Sequence, residues 1–157
     1  MTLTADVHTA LRKGGLDPAD VEALVRRALE EDLGNGIDVT SVATVPFDLE
    51  GVADFVARSP GVVAGVAVVR AVLEIASDDS VIVDERVQDG DAVAAGEVLL
   101  TASALVRALL MAERTALNVM CHLSGISTVT RRWVDEVAGT KARILDTRKT
   151  TPGRSEE

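Results

Sequence analysis

A chain of 157 residues that is 47% apolar has material for one ordinary domain, or a small domain and part of another, and is too apolar to be a disordered segment. With two Phe, one Trp and no Tyr, its core has to be built from Ala, Val, Leu and Ile. A net charge of −9 argues against nucleic acid or an anionic membrane as partner, and no apolar run approaches the roughly 18 residues a membrane span requires.

The opening Met1-Thr2-Leu3-Thr4-Ala5-Asp6 lacks the basic-then-apolar order of a signal peptide, and the single Cys121 has no partner for an internal disulfide, so a cytoplasmic protein is expected. Charge is unevenly spread. Residues 1–104 hold 7 Lys/Arg against 19 Asp/Glu, a net of −12, whereas residues 105–157 hold 9 against 6, a net of +3. An anionic ligand is better placed against the C-terminal third, although charge scattered over solvated faces gives the same count.

The first clear element is a helix. Asp17 caps it, Pro18 suits its first turn, and Val21, Leu24, Val25, Ala28 and Leu29 recur at helical spacing until Leu33-Gly34-Asn35-Gly36 turns the chain. A loop or extended stretch is expected over 37–46. Residues 52–58 read as a strand, Ser59-Pro60-Gly61 as a turn, and Val62-Val63-Ala64 as a short strand. Gly65 opens a helix to about Ala76. Val81-Ile82-Val83 and Val98-Leu99-Leu100-Thr101 read as strands flanking a Gly-rich hairpin. From Leu105 the pattern is strongly helical, with Leu105, Leu109, Ala112 and Ala116 in one row and Val106, Leu110 and Leu117 in the next. His122-Leu123-Ser124-Gly125 predicts a break, and a second helix follows from about Ile126 to Val137, with Gly139 as its C-terminal cap. Ala142 to Leu145 predicts one more strand, ending at Asp146. There is no internal repeat and no low-complexity segment.

Three stretches bear on chemistry. Val87-Gln88-Asp89-Gly90-Asp91 and the alternating residues to Leu99 have the form of a hammerhead or barrel-sandwich hairpin, the kind that carries biotin or lipoate. A carrier needs a lysine at the hairpin tip, and no lysine lies between Lys13 and Lys141, so this hairpin reads as structural. Arg114 lies in an apolar helical segment where a guanidinium must find a partner; Glu113 offers a structural ion pair, and a ligand carboxylate gripped by two parallel hydrogen bonds is the functional alternative. Asp146-Thr147-Arg148-Lys149-Thr150-Thr151 follows the last strand, where α/β barrels place their chemistry, or else forms a charged exit loop. His122 and Cys121 side by side do not make a metal site.

In order along the chain stand Glu31-Asp32-Leu33-Gly34-Asn35-Gly36-Ile37-Asp38-Val39-Thr40-Ser41, Gly61-Val62-Val63-Ala64-Gly65, Ala112-Glu113-Arg114-Thr115-Ala116-Leu117-Asn118, His122-Leu123-Ser124-Gly125-Ile126-Ser127-Thr128, Gly139-Thr140, and Asp146-Thr147-Arg148-Lys149-Thr150-Thr151-Pro152-Gly153. From about residue 20 to Gly153 this set resembles the quinolinate phosphoribosyltransferase family. A related protein of molybdenum-transport operons shares the Asp-Thr-Arg-Lys-Thr element; the Glu-Asp-Leu-Gly start and the Thr-Thr-Pro-Gly continuation fit the quinolinate family better.

The resemblance implies an α+β chain. Residues 1–112 would form an N-terminal hammerhead or barrel-sandwich-like domain, and residues 113–157 the helices and first strand of a truncated α/β barrel. It implies the joining of quinolinate to phosphoribosyl pyrophosphate with Mg²⁺, releasing pyrophosphate and carbon dioxide to leave nicotinate mononucleotide, a step of de novo NAD synthesis. Arg148 matches an arginine holding a quinolinate carboxylate, flanked by Thr147 and Lys149, with Lys149 within reach of phosphate. Arg114 matches an arginine that enters the neighbouring subunit's pocket, which implies a homodimer or higher oligomer. Family members continue beyond Pro-Gly through most of a barrel, whereas Arg154-Ser155-Glu156-Glu157 follows here, so an incomplete and inactive product is expected. The rival class is a free-standing, non-catalytic hammerhead module.

Overall fold

The computed structural model describes residues 3–34, 38–78 and 80–147. From the N-terminus they form α1 (Ala5–Lys13), α2 (Pro18–Leu33), α3 (Val39–Thr44), β1 (Glu50–Val56), β2 (Gly61–Val62), α4 (Val66–Ser77), β3 (Ile82–Glu85), β4 (Ala92–Val93), β5 (Val98–Leu105) and α5 (Val106–Glu136). The α+β class expected from the sequence is what the structure has; no closed barrel is present among the described residues.

The core is organised around α4. A helix rich in Val has modest intrinsic propensity, and packing supplies its stability. Val66, Val68, Val69, Ala71, Val72, Leu73 and Ala76 are all buried, on every side of the helix. Full burial of a Val side chain contributes about 1.5–3 kcal/mol, which Val69 and Val72 realise in full. On one side α1 packs Val7 and Leu11, and α2 packs Val21, Val25 and Leu29, against this core. On the other lies the sheet β1-β5-β3, antiparallel throughout, with β5 in the middle. Leu100 and Ala102 of β5 are fully buried, facing Phe55 and Ala53 across the register with β1, which slips by one residue between Phe55 and Val56.

α1 has no counterpart among the sequence expectations. Thr4 caps it, and the same residue ties it to α4: the Thr4 N–H and hydroxyl donate to the buried Glu74 carboxylate at 3.1 and 2.8 Å. The loop expected over 37–46 contains α3. Its Val, Thr and Ser residues are poor helix formers, and the helix is held at both ends from outside. The Asp38 carboxylate accepts from the Thr40 and Ser41 N–H groups, and the Arg107 guanidinium donates to the Val42 and Val45 carbonyls at the C-terminal end.

β1 begins and ends two residues before the expected 52–58, and β2 one residue before Val62. The expected hairpin strands do pair, as β3 with β5, but the loop between them leaves the sheet so that β4 can pair with β2. Its Asp-Gly-Asp turn caps α4: Asp89 Oδ1 accepts the Val66 N–H at 2.9 Å, supplying what the N-cap Gly65 has no side chain to give. Gly90, at φ +96°, donates its N–H to the Val63 carbonyl.

Three expectations are corrected beyond β5: a helix break, a strand and a cap position. The break at His122–Gly125 does not exist, and α5 runs unbroken for 31 residues, so the expected domain boundary at 112/113 falls inside it. Ser124 turns its hydroxyl to another segment instead of competing with the helix: the Ala64 N–H donates to Ser124 Oγ at 3.0 Å, and Ser124 Oγ donates to the Ala64 carbonyl at 3.3 Å. Residues 142–147 form no strand. A strand draws its hydrogen bonds from a neighbour, and none lies beside this segment among the described residues. The helix ends at Glu136, and Gly139 takes a positive φ in the turn after it rather than the cap position.

Candidate functional site

Two of the sequence elements that stand apart in the chain meet on α5. Gly61 and Gly65 bring the 61–65 backbone against the helix so closely that a Cβ at Gly61 would lie 2.8 Å from Thr128 Oγ1, and one at Gly65 2.8 Å from a Leu123 methyl. The Val62 N–H donates to Thr128 Oγ1 at 2.8 Å. Ser124 and Thr128, one helical turn apart, thus satisfy backbone polar groups on the 61–65 segment.

A second meeting brings together the end of α2 and the first half of α5. Gly34, at φ +58°, caps α2, donating its N–H to the Glu30 carbonyl, and this places Asp32 in the last turn facing α5. Arg114 Nη1 donates to Asp32 Oδ1 at 2.7 Å. The two residues line a cleft of about 510 Å³ with Leu33, Asp38, Glu113 and Asn118, over a floor that includes Leu110, Met111 and Leu117. The Ser41 hydroxyl, and after it the Ser41 N–H, hold the Asp38 carboxyl below its ordinary range, so that group is charged at neutral pH.

Arg114 therefore does have a carboxylate partner, but not Glu113. Neighbours in a helix point about 100° apart, and the partner comes from 82 residues away. Nor is the guanidinium sunk among apolar side chains, since the Arg114 side chain is 73% exposed. Asp32 stood in a recognisable element of the sequence without a role; its placement beside Arg114 depends on the packing of α2 on α5, which no local pattern carries.

Of the other expected site residues, Thr147 is exposed beyond α5, its N–H donating to Asp146 Oδ1 at 2.6 Å, and it does not line the cleft. Arg148 and Lys149 lie outside the described residues. Among the described residues no group of three or more His, Cys, Asp or Glu side chains is placed to hold a metal ion. A larger groove of about 980 Å³ runs between β1 with its exit loop and α5, lined by Phe55, Val63, Leu117, Met120, Arg58 and Arg132 among others.

A family model described as the quinolinate phosphoribosyl transferase N-terminal domain matches residues 38–124. The chain belongs to that family. It is 54% identical over 130 residues to the carboxylating nicotinate-nucleotide pyrophosphorylase of Mycobacterium leprae, a match covering 82% of this chain and 46% of that protein. It is 42% identical over 134 residues to the chloroplastic enzyme of the same name from Arabidopsis thaliana, covering 85% and 38%. Among solved structures, NadC from Streptococcus pyogenes superposes with a TM-score of 0.82 at 31% identity, covering 88% of this chain and 48% of that one. The nicotinate-nucleotide pyrophosphorylase of Francisella tularensis gives 0.78 at 33%, covering 85% and 47%. The chain spans less than half the length of each of these relatives. The residues matched by the quinolinate phosphoribosyl transferase model include α3 to the middle of α5, and with them Arg114, the two glycines of 61–65 and Ser124. No described helix is long and apolar enough to cross a membrane.

Proposed function

We propose that this chain serves the carboxylating nicotinate-nucleotide pyrophosphorylase reaction, as the N-terminal portion of the catalytic unit. In that reaction the pyridine nitrogen of quinolinate bonds to the ribose carbon of phosphoribosyl pyrophosphate as the carbon–oxygen bond to pyrophosphate breaks. The ring carbon beside the nitrogen then loses its carboxylate as carbon dioxide, and the electron pair left there takes up a proton. The observation that carries the reading is the placement of Arg114: a guanidinium presented on a packed helix, at a cleft, within the family-matched residues.

Both substrates are anions, and this cleft alone does not suit them. Arg114 shares the lining with Asp32, Asp38 and Glu113, so the charged lining is net acidic. On this reading further positive charge comes from Arg148 and Lys149, with Thr147 beside them, and from the parts that the longer relatives carry beyond the matched length. Two copies would pair, Arg114 of each entering the other's pocket. Mg²⁺ would arrive with phosphoribosyl pyrophosphate, as the family resemblance implies, and would offset charge on the departing pyrophosphate. The protein is placed in the cytoplasm on this reading, in keeping with its single, exposed Cys121.

The test uses two proteins, the 157-residue chain and a chimera joining residues 1–147 to the corresponding remainder of the Mycobacterium leprae relative, each given quinolinate, phosphoribosyl pyrophosphate and Mg²⁺. The chain alone is expected to form no nicotinate mononucleotide above the no-protein control, and the chimera to turn over. Arg114→Ala in the chimera is expected to lose about 2–5 kcal/mol of transition-state stabilisation, the scale for truncating one member of a desolvated charge pair. A folded chimera without activity, or unchanged kinetics in Arg114→Ala, would overturn the reading.

A further inference from the structure

Arg114 is a long side chain on a helix surface, with four rotatable bonds and 73% of it exposed. Left alone it would spread over many rotamers and present no fixed edge to a ligand. It is not left alone. Its Nη1 is tied to Asp32, a side chain with two rotatable bonds, only 21% exposed, at the end of a helix anchored by the buried Val25 and Leu29. A guanidinium offers a carboxylate two paired edges beside its single outer contacts, and occupation of Nη1 leaves the Nε–Nη2 edge. Neither Nε nor Nη2 has a hydrogen-bond partner among the described residues.

We propose that Asp32 is the positioning residue for Arg114, holding it by Nη1 so that its Nε–Nη2 edge stays open at the cleft for a carboxylate. The proposal rests on the reading of Arg114 as a carboxylate-holding residue, and it runs against the simplest electrostatic expectation. Asp32, Asp38 and Glu113 all repel an incoming dianion. If Asp32 acted only as a competing charge, its removal would tighten the binding of quinolinate. If it positions Arg114, its removal weakens binding despite making the cleft less acidic.

Two measurements decide between these. In the ¹⁵N-labelled 157-residue chain, the Arg114 Nε–Hε resonance is assigned by its loss in Arg114→Lys and followed in Asp32→Ala and Asp32→Asn. Asp32→Ala is expected to move it to the position of a freely rotating arginine, and Asp32→Asn, which keeps an acceptor without the charge, to leave it near the wild-type position. In the chimera, Asp32→Ala is expected to raise the KM for quinolinate about tenfold with kcat little changed, the equivalent of one hydrogen bond to a charged group, with partial rescue by Asp32→Asn. An unmoved resonance, or a KM that falls in Asp32→Ala, overturns the proposal. The two failures are separable: unchanged kinetics in Arg114→Ala sink the reading of Arg114 as a ligand group, whereas a raised KM in Arg114→Ala with a normal one in Asp32→Ala sinks only the role of Asp32.

Discussion

Between Val106 and Met120, α5 turns Ala112, Thr115, Ala116 and Met120 into the core; between Cys121 and Glu136 the same helix has no buried residue, and Ile126, Val129, Trp133 and Val134 stand in solvent. Both halves repeat apolar residues at three- and four-residue spacing, so the pattern is the same and the surroundings differ. The first half joins the core around α4, meets α2 through the Arg114–Asp32 pair and builds the cleft. The second touches the body at its near end, through the Ser124 and Thr128 hydroxyls and the Leu123 side chain. The difference teaches that helical periodicity specifies which face is apolar but not what covers it, and that in this molecule the energetics and the candidate chemistry both sit on the covered half.

The comparison is open to breaking by mutation. Met120, 4% exposed, is expected to cost about 2–5 kcal/mol as Met120→Ala, the range for emptying a packed site. Trp133, a larger side chain but 60% exposed, is expected to change stability by no more than about 0.5 kcal/mol as Trp133→Ala. Urea denaturation of the two variants measures both, and equal losses would erase the distinction between the halves.

The hold of the body on the second half is tested by Thr128→Val, which keeps the shape of the side chain and removes the acceptor of the Val62 N–H. A loss of about 1 kcal/mol is expected, the low end for leaving a donor unsatisfied because the site is only partly buried, together with faster exchange of the Val62 amide. An unchanged exchange rate would show that the hydroxyl does not hold the 61–65 segment.

The one expected gain belongs to Gly125, in mid-helix with open space where its Cβ would be. Gly125→Ala is expected to gain about 0.5–1 kcal/mol by removing backbone freedom from the unfolded chain. A loss in thermal or urea denaturation would mean that something lies close against that face in solution.

How much of this the sequence discloses varies with the range of the forces involved. α2 and α4 were legible because capping residues and a continuous apolar pattern agree: Asp17 and Pro18 open the one, and Gly65 with its run of Val marks the other. α3 was not legible because its stability is borrowed, from Arg107 more than 60 residues away. The break expected over His122–Gly125 followed from local propensity, and the helix runs through it with Ser124 hydrogen-bonded to Ala64. The strand expected over 142–145 had the right composition but no neighbour among the described residues to pair with. At the site, Arg114 was recognisable from its motif, while its partner Asp32 was visible as part of another motif and invisible as a partner. Arg148 and Lys149, named on the same grounds, lie outside the described residues, and their part in the proposed reaction stands on the motif alone.

The continuity of α5 also makes it a ruler. Arg114 and Thr128 lie 14 residues apart on one unbroken helix, which sets them about 21 Å apart along its axis and within about 40° of the same side. Removing or adding one residue between them would swing one landmark about 100° relative to the other. Over 86–97 the chain is free to leave the sheet, pair elsewhere and return. Between the cleft and the 61–65 junction the residue count itself is the structural information, so that stretch can change its side chains far more easily than its length.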